Sequence, residues 1–455
     1  MSIRTINPAT GEVIADYPVM GASEVQERLD LAGRACGGWS RATFSERGVI
    51  LARVAELLRE RSESLAVLIT TEMGKPIEQA RAEVEKCAWM FAYNAEHAEA
   101  ALAPREVATE MTRSLVCFQP LGVVFAIMPW NFPLWQVTRF AAPNLMAGNG
   151  AVLSHAPIST GVALAIEGLF LDAGLPEGVF GTLVIEDAQA SQVIADRNVA
   201  GVTLTGSEDA GRAVALEAAR HLKKVVLELG GSDPYLILED ADLEHAAECC
   251  VNLRMLVSGQ VCISPKRLIV VDAVHDAFET AVLERAAAFS VGDPLLDGTR
   301  LGPLARADLR DRVHAQVSRA VGQGATCLLG GAPVNGPGFF YPATVLKDIP
   351  PGSVAEREEI FGPVISIFRA RDEKAAIEMA NDSVYGLGAA VFTRDAQRGE
   401  RLAREELQAG TCAVNTFVSS DPRLPFGGIK QSGFGRESGT EGIREFCNTK
   451  VVHVR

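Results

Sequence analysis

The 455-residue sequence has no apolar run approaching the roughly 18 to 20 residues needed to cross a bilayer. Its start, Met1 to Pro8, lacks the apolar stretch of a secretory leader, so the expected compartment is the cytoplasm and no membrane partner is expected. Positive charge is in deficit. Lysine and arginine total 43 against 57 aspartates and glutamates, for a net charge of −14, which argues against nucleic acid as a partner. Nine cysteines are scattered without a C-x-x-C pair, which excludes a disulfide framework and leaves most of them reduced and buried. Seven histidines include no H-x-x-x-H pair, and no metal site is expected. Internal repeats, low-complexity linkers and a G-x-G-x-x-G unit are also missing.

What is present is a hydrophobic content of 48%, enough for a large core divided into two or three domains. The first hundred residues read as helical after a short extended stretch. Ser23 with Gln26 and Thr43 with Glu46 have capping-box spacing. Ile50, Leu51, Val54, Leu57 and Leu58 then form one apolar face, and Gly74-Lys75-Pro76 closes a helix and opens the next. Further on, short runs rich in β-branched residues at 122–128, 151–153, 202–205 and 225–227 alternate with helical segments at 159–173 and 208–220. That alternation predicts a parallel, doubly wound sheet. A second set of strands near 267–271, 388–393 and 411–415, with helices at 274–289, 306–322 and 373–381, predicts a second α/β domain.

Four segments hold residues suited to chemistry. Gly259-Gln-Val-Cys262 offers either one more buried cysteine or a thiol brought close to backbone donors, able to attack an aldehyde. Glu228-Leu-Gly-Gly231 ends a predicted strand with a carboxylate. It is either a solvated loop acid or a base that activates water. Pro129-Trp-Asn-Phe-Pro133 holds an amide between rigid neighbours, as a turn asparagine or as an oxyanion donor. Thr205-Gly-Ser207 joins a strand to a helix in the manner of a phosphate-binding helix start.

Taken together with Gly74-Lys-Pro76, Glu359-Ile-Phe-Gly-Pro363 and Pro425-Phe-Gly-Gly-Ile-Lys430, these stretches resemble the aldehyde dehydrogenase superfamily in order, spacing and wording, from about residue 5 to the C-terminus. The resemblance implies a Rossmann-like cofactor domain (1–107 and 122–229), an α/β catalytic domain (230–424) and a small β oligomerisation element with bridging segments (108–121 and 425–455). It implies Cys262 as nucleophile, Asn131 as oxyanion donor and Glu228 as general base. It implies an NAD or NADP site involving Trp130, Ser154, His155, Gly206, Ser207, Leu229, Glu359 and Phe361. The assembly it implies is a homodimer or a dimer of dimers. Leu229-Gly-Gly-Ser-Asp233 and Phe132-Pro-Leu-Trp-Gln-Val-Thr-Arg139 are similar to the short succinate-semialdehyde dehydrogenases. In that reading Arg139 receives the far carboxylate or forms an interdomain salt bridge, Trp135 flanks the aliphatic chain, and Ser419 adds a hydroxyl.

Two positions depart from the family. Ser154 stands where a lysine normally bonds the adenosine ribose, with Pro157 in place of the glutamate common in NAD-preferring members. Val257 stands where asparagine usually precedes the Gly-Gln pair. Both changes favour a second reading, a non-catalytic or cofactor-impaired homologue acting as a binding or structural protein. Cys262, Glu228, Asn131 and Glu359 count against it. A hydroxy-acid dehydrogenase would need a catalytic His or Lys after a G-x-G-x-x-G unit, which the chain lacks.

Overall fold

The structure is a computed structural model and describes residues 1–455. A hairpin of Ser2–Ile6 and Val13–Pro18 leads into four helices, Ala22–Trp39, Phe44–Glu60, Ser62–Met73 and Ile77–Leu102. Thr43 caps the second, its hydroxyl accepting the Glu46 N–H at 3.2 Å. Ser23 caps nothing, because the first helix already begins at Ala22. There Glu24, not Gln26, closes the end by accepting the Gly21 N–H at 2.7 Å. Gly74, at φ +79°, ends the third helix in the left-handed conformation.

Six strands form the first sheet, in the order 433–434, 224–228, 199–205, 123–128, 150–155, 180–182, parallel except for the first. The largest apolar core lies between this sheet and the helices Phe44–Glu60, Ser62–Met73, Ile77–Leu102 and Trp135–Met146. Seven strands form the second sheet, in the order 326–329, 344–347, 364–370, 265–271, 233–237, 388–392, 411–414. Its fifth strand, Asp233–Ile237, escapes a sequence reading because Asp-Pro signals a turn. Here a register shift between Asp233 and Pro234 accommodates the missing N–H, and every residue of the strand is buried.

A third, antiparallel sheet pairs Cys447–Val454 with Arg113–Pro120 along eight residue pairs. It also takes in Arg105–Glu106, which the sequence reading grouped with the cofactor domain. Gly433–Phe434, grouped with the oligomerisation segments, instead pairs with Leu227 and Glu228 as an edge of the first sheet. A two-residue strand carries no periodicity, so only its pairing reveals it. No helix is long and apolar enough to cross a membrane.

The sheets set the position of the site. In the first, Val123–Met128, Val199–Thr205 and Lys224–Glu228 are parallel neighbours, so their carboxyl ends deliver Pro129-Trp130-Asn131, Gly206-Ser207 and Leu229 to one edge. In the second, Pro265–Val271 lies between Asp233–Ile237 and Val364–Ala370. The segments entering those strands, with Gly231, Cys262 and Glu359, therefore meet as well.

Candidate active site

Cys262 ends a loop whose backbone is held in a costly shape. Val257, Ser258 and Gly259 have φ of +50°, +53° and +76°, three successive left-handed residues, each disfavoured by about 1 to 2 kcal/mol for a residue with a Cβ. A side chain on Gly259 would lie 2.1 Å from the Gly362 carbonyl oxygen, so glycine is obligatory there. The turn is fixed by bonds from several directions. Gln79 Oε1 accepts the Val257 N–H at 2.8 Å, Ser258 Oγ donates to Gly302 O at 2.8 Å, and Arg254 donates to Gly259 O at 2.9 Å. The side chain of Val257 is packed in the main core. The loop is thus held without the amide that the family usually has at this position. Gln260 adds to the hold, donating to Val257 O and accepting the Ala305 N–H, both at 3.0 Å.

Burial pushes the half-buried Cys262 thiol up to about 11, against the opposing charges of Lys266 and Arg139. Lys266 Nζ donates to Cys262 O at 2.6 Å and to Val261 O at 2.9 Å, and pairs with Glu359 at 3.0 Å. Asn131 is buried and spends one amide N–H on Gln260 O at 2.9 Å, leaving its second N–H beside the cysteine loop. Gly231 comes so close that a Cβ on it would lie 3.0 Å from Cys262 O. The segments of Asn131, Glu228 and Cys262 therefore converge.

Glu228, at the end of its strand, is 2% exposed and its Oε1 has no partner. Burial lifts its carboxyl well above the usual range. The Glu437 charge adds to the lift, while Arg139 and Arg436 oppose it. Such a group is a strong proton acceptor once ionised.

The cofactor candidates divide. Ser207 caps the thirteen-residue helix Glu208–Arg220 at an exposed end, its hydroxyl accepting the Ala210 N–H at 3.3 Å. Gly206 donates to Glu228 O at 3.0 Å. Glu359 accepts the Gly231 N–H at 3.3 Å. Phe361 meets Trp130 edge-on, with ring centroids 5.9 Å apart. Ser154 is half-buried at the end of its strand. Two expectations are revised. His155 is turned inward, its Nε2 bonded to Pro133 O at 2.9 Å, so it braces the Asn131 loop instead of facing a cofactor. Burial drives that imidazole down to about 4, so it stays neutral. Leu229 packs against Gly211 and gives its N–H to Ser432 O, leaving only its carbonyl for a ligand.

Of the substrate candidates, Trp135 is buried at the start of Trp135–Met146 and Ser419 is exposed. Arg139 makes an ion pair within the chain. It is 2% exposed, its Nε is paired with the Glu437 carboxylate, and its guanidinium lies 4.4 Å over the Phe426 ring. The salt-bridge alternative is present, while Arg139 Nη2 is left buried without a hydrogen-bond partner. Sequence reading missed Arg254, Lys266 and Glu437. Arg254 had left a trace, as a lone cation in the apolar run 249–257. Lys75, noticed only as part of a motif, is a buried partner of Glu83, whose carboxylate accepts the N–H groups of Leu134 and Trp135 at 3.0 and 2.9 Å.

This constellation, at the meeting edges of two α/β sheets, is that of a cysteine-dependent aldehyde-oxidising enzyme. The model of the aldehyde dehydrogenase family matches residues 1–452, and the chain belongs to that family. It is similar to the Escherichia coli succinate semialdehyde dehydrogenase Sad, named for NAD(P)+, with 46% identity over 448 residues, 98% of this chain and 97% of that one. It is also similar to the Deinococcus radiodurans succinate-semialdehyde dehydrogenase named for NADP+, with 44% identity over 98% of this chain and 94% of that one. The crystal structure of succinic semialdehyde dehydrogenase from Streptococcus pyogenes in complex with NADP+ superposes with a TM-score of 0.97 at 37% identity, over 99% of both chains.

Proposed function

We propose that this enzyme oxidises succinate semialdehyde to succinate with NAD or NADP, through a thioester on Cys262. The observation that carries the substrate is the full-length likeness to relatives named for it, at 44 to 46% identity. The residues fit a dinucleotide. Ser207 opens an exposed helix start suited to a diphosphate. Glu359 borders the groove beside Gly230, where a Cβ would lie 2.6 Å from its carboxylate, and Trp130 and Phe361 offer aromatic faces. When bound, the dinucleotide supplies the hydride acceptor.

The chain's own residues do the rest. The Cys262 thiol gives its proton to solvent water, and its sulfur bonds to the aldehyde carbon while the carbonyl electron pair moves to oxygen. The free N–H of Asn131 and the Cys262 N–H hold that oxygen. After oxidation the carbon is a thioester. Glu228 takes a proton from water as the water oxygen bonds to the acyl carbon, and the C–S bond then breaks to return the thiolate. Six strands with their flanking helices serve as the cofactor domain and the seven-stranded sheet as the catalytic domain.

Kinetics on succinate semialdehyde and butanal, with Cys262→Ala as the control, test the reading. Oxidation far better with the semialdehyde and abolished in the variant is expected. Equal use of both aldehydes would defeat the substrate assignment, and turnover by Cys262→Ala would defeat the mechanism.

A further inference from the structure

Helix Trp135–Met146 starts without a cap of its own, since Leu134 offers no side-chain acceptor to the first N–H groups. Glu83, on helix Ile77–Leu102, supplies one from outside. Its Oε1 accepts the N–H groups of Leu134 and Trp135 at 3.0 and 2.9 Å, and its Oε2 pairs with Lys75. Lys75 stands at the turn between Ser62–Met73 and Ile77–Leu102, and both side chains of the pair are fully buried. The Lys75 Nζ also lies 3.8 Å over the ring of Phe132, the residue after Asn131. His155 bonds Pro133 O at 2.9 Å, and Asn131 itself donates to Gln260 O at 2.9 Å. Every residue from Asn131 to Trp135 is thus held from outside its own segment, three of them by the Lys75–Glu83 pair.

Capping alone does not call for such a pair. A serine or aspartate in place of Leu134 would cap the helix, whereas taking an ammonium and a carboxylate out of water is costly. Burial pulls the Lys75 ammonium below its usual value, and the Glu83 charge opposes that fall. What the pair adds is a fixed place for the loop. We propose that Lys75 and Glu83 are positioning residues for the reaction, holding the Asn131 loop so that its free amide N–H meets the oxygen of the reacting aldehyde. This rests on the reading of Asn131 as the oxyanion donor. A displacement of about 1 Å can cost roughly a hundred-fold in rate. Glu83→Gln keeps the side-chain shape and an acceptor for Leu134 and Trp135, but it turns an amide NH2 toward the Lys75 ammonium and pushes the two apart.

The test is a double-mutant cycle on the single-turnover rate of cofactor reduction at saturating succinate semialdehyde, in the wild type, Glu83→Gln, Asn131→Ala and the double variant. Glu83→Gln should slow this step roughly ten- to a hundred-fold with little change in KM, and Asn131→Ala roughly a hundred- to a thousand-fold. The double variant should be no slower than Asn131→Ala, because the pair then has no donor to place. Lys75→Met should show the same dependence on Asn131. Alkylation of Cys262 by iodoacetamide, which develops no oxyanion, should stay near the wild-type rate in Glu83→Gln. An unslowed Glu83→Gln, losses that multiply in the double variant, or alkylation that falls in step with aldehyde oxidation would each overturn the assignment of the pair and leave Asn131 standing. An Asn131→Ala as fast as the wild type overturns the reading of Asn131, and the proposal with it. If Glu83→Gln fails to fold, Glu83→Asp, which keeps the charge and withdraws the carboxylate by one methylene, takes its place in the same cycle with the same outcomes.

Discussion

Arg139 closes on Glu437, and the pair stands beside Glu228, whose proton affinity both of them adjust. Thr203 Oγ1 donates to the other Glu437 oxygen at 3.3 Å, so the carboxylate is bonded on both sides. Breaking a buried pair by removing one partner typically costs about 3 to 5 kcal/mol. Arg139→Leu should destabilise the enzyme by about that much in denaturant melts. It should also lower kcat/KM for succinate semialdehyde and butanal alike, because it leaves the Glu437 charge unpaired next to Glu228. A selective loss with the semialdehyde would make Arg139 the carboxylate's host.

The alternation of strands and helices in the first domain was readable because buried parallel strands are unbroken apolar runs, and Glu208–Arg220 was predicted to the residue. In the second domain Asp233–Ile237 hides behind Asp-Pro and Val364–Ala370 behind Gly-Pro, so both neighbours of the central strand Pro265–Val271 were missed, with Thr326–Leu329 and Thr344–Lys347, while Pro265–Val271, Gly388–Phe392 and Thr411–Val414 were found. The segments holding Cys262, Glu228 and Asn131 were readable from their motifs. The partners of each long side chain were not. Arg139 and His155 sit in motif positions that fit a ligand, but spacing cannot reveal that Glu437, nearly 300 residues away, or the Pro133 carbonyl claims them.

Ser154→Lys should tighten dinucleotide binding. The position is half-buried at the end of Gly150–His155, and no neighbouring cation substitutes, since His155 faces inward and stays neutral. One charged hydrogen bond gained should be worth roughly 1 to 2 kcal/mol, five- to thirty-fold in Kd by calorimetry. Unchanged affinity would place the adenosine ribose elsewhere.

The enzyme should be a dimer or a dimer of dimers. Cys447–Val454 is the free edge of the three-stranded sheet, with Val451 57% and Val454 45% exposed, an edge that a second subunit can cover. Sedimentation at assay concentrations should show no monomer, and Val451→Pro, which removes an edge donor, should shift the distribution toward monomer. A monodisperse, active monomer would refute the assembly.

The central claim is that oxidation passes through a thioester on Cys262 that Glu228 resolves. Glu228→Gln keeps the side-chain shape and removes the base, so it should give a burst of reduced cofactor followed by slow turnover. The direct measurement is mass spectrometry of that variant quenched after one turnover with succinate semialdehyde and cofactor. The account predicts one succinyl group on the peptide that contains Cys262. Reduced cofactor formed in stoichiometric amount with that peptide unmodified would contradict it.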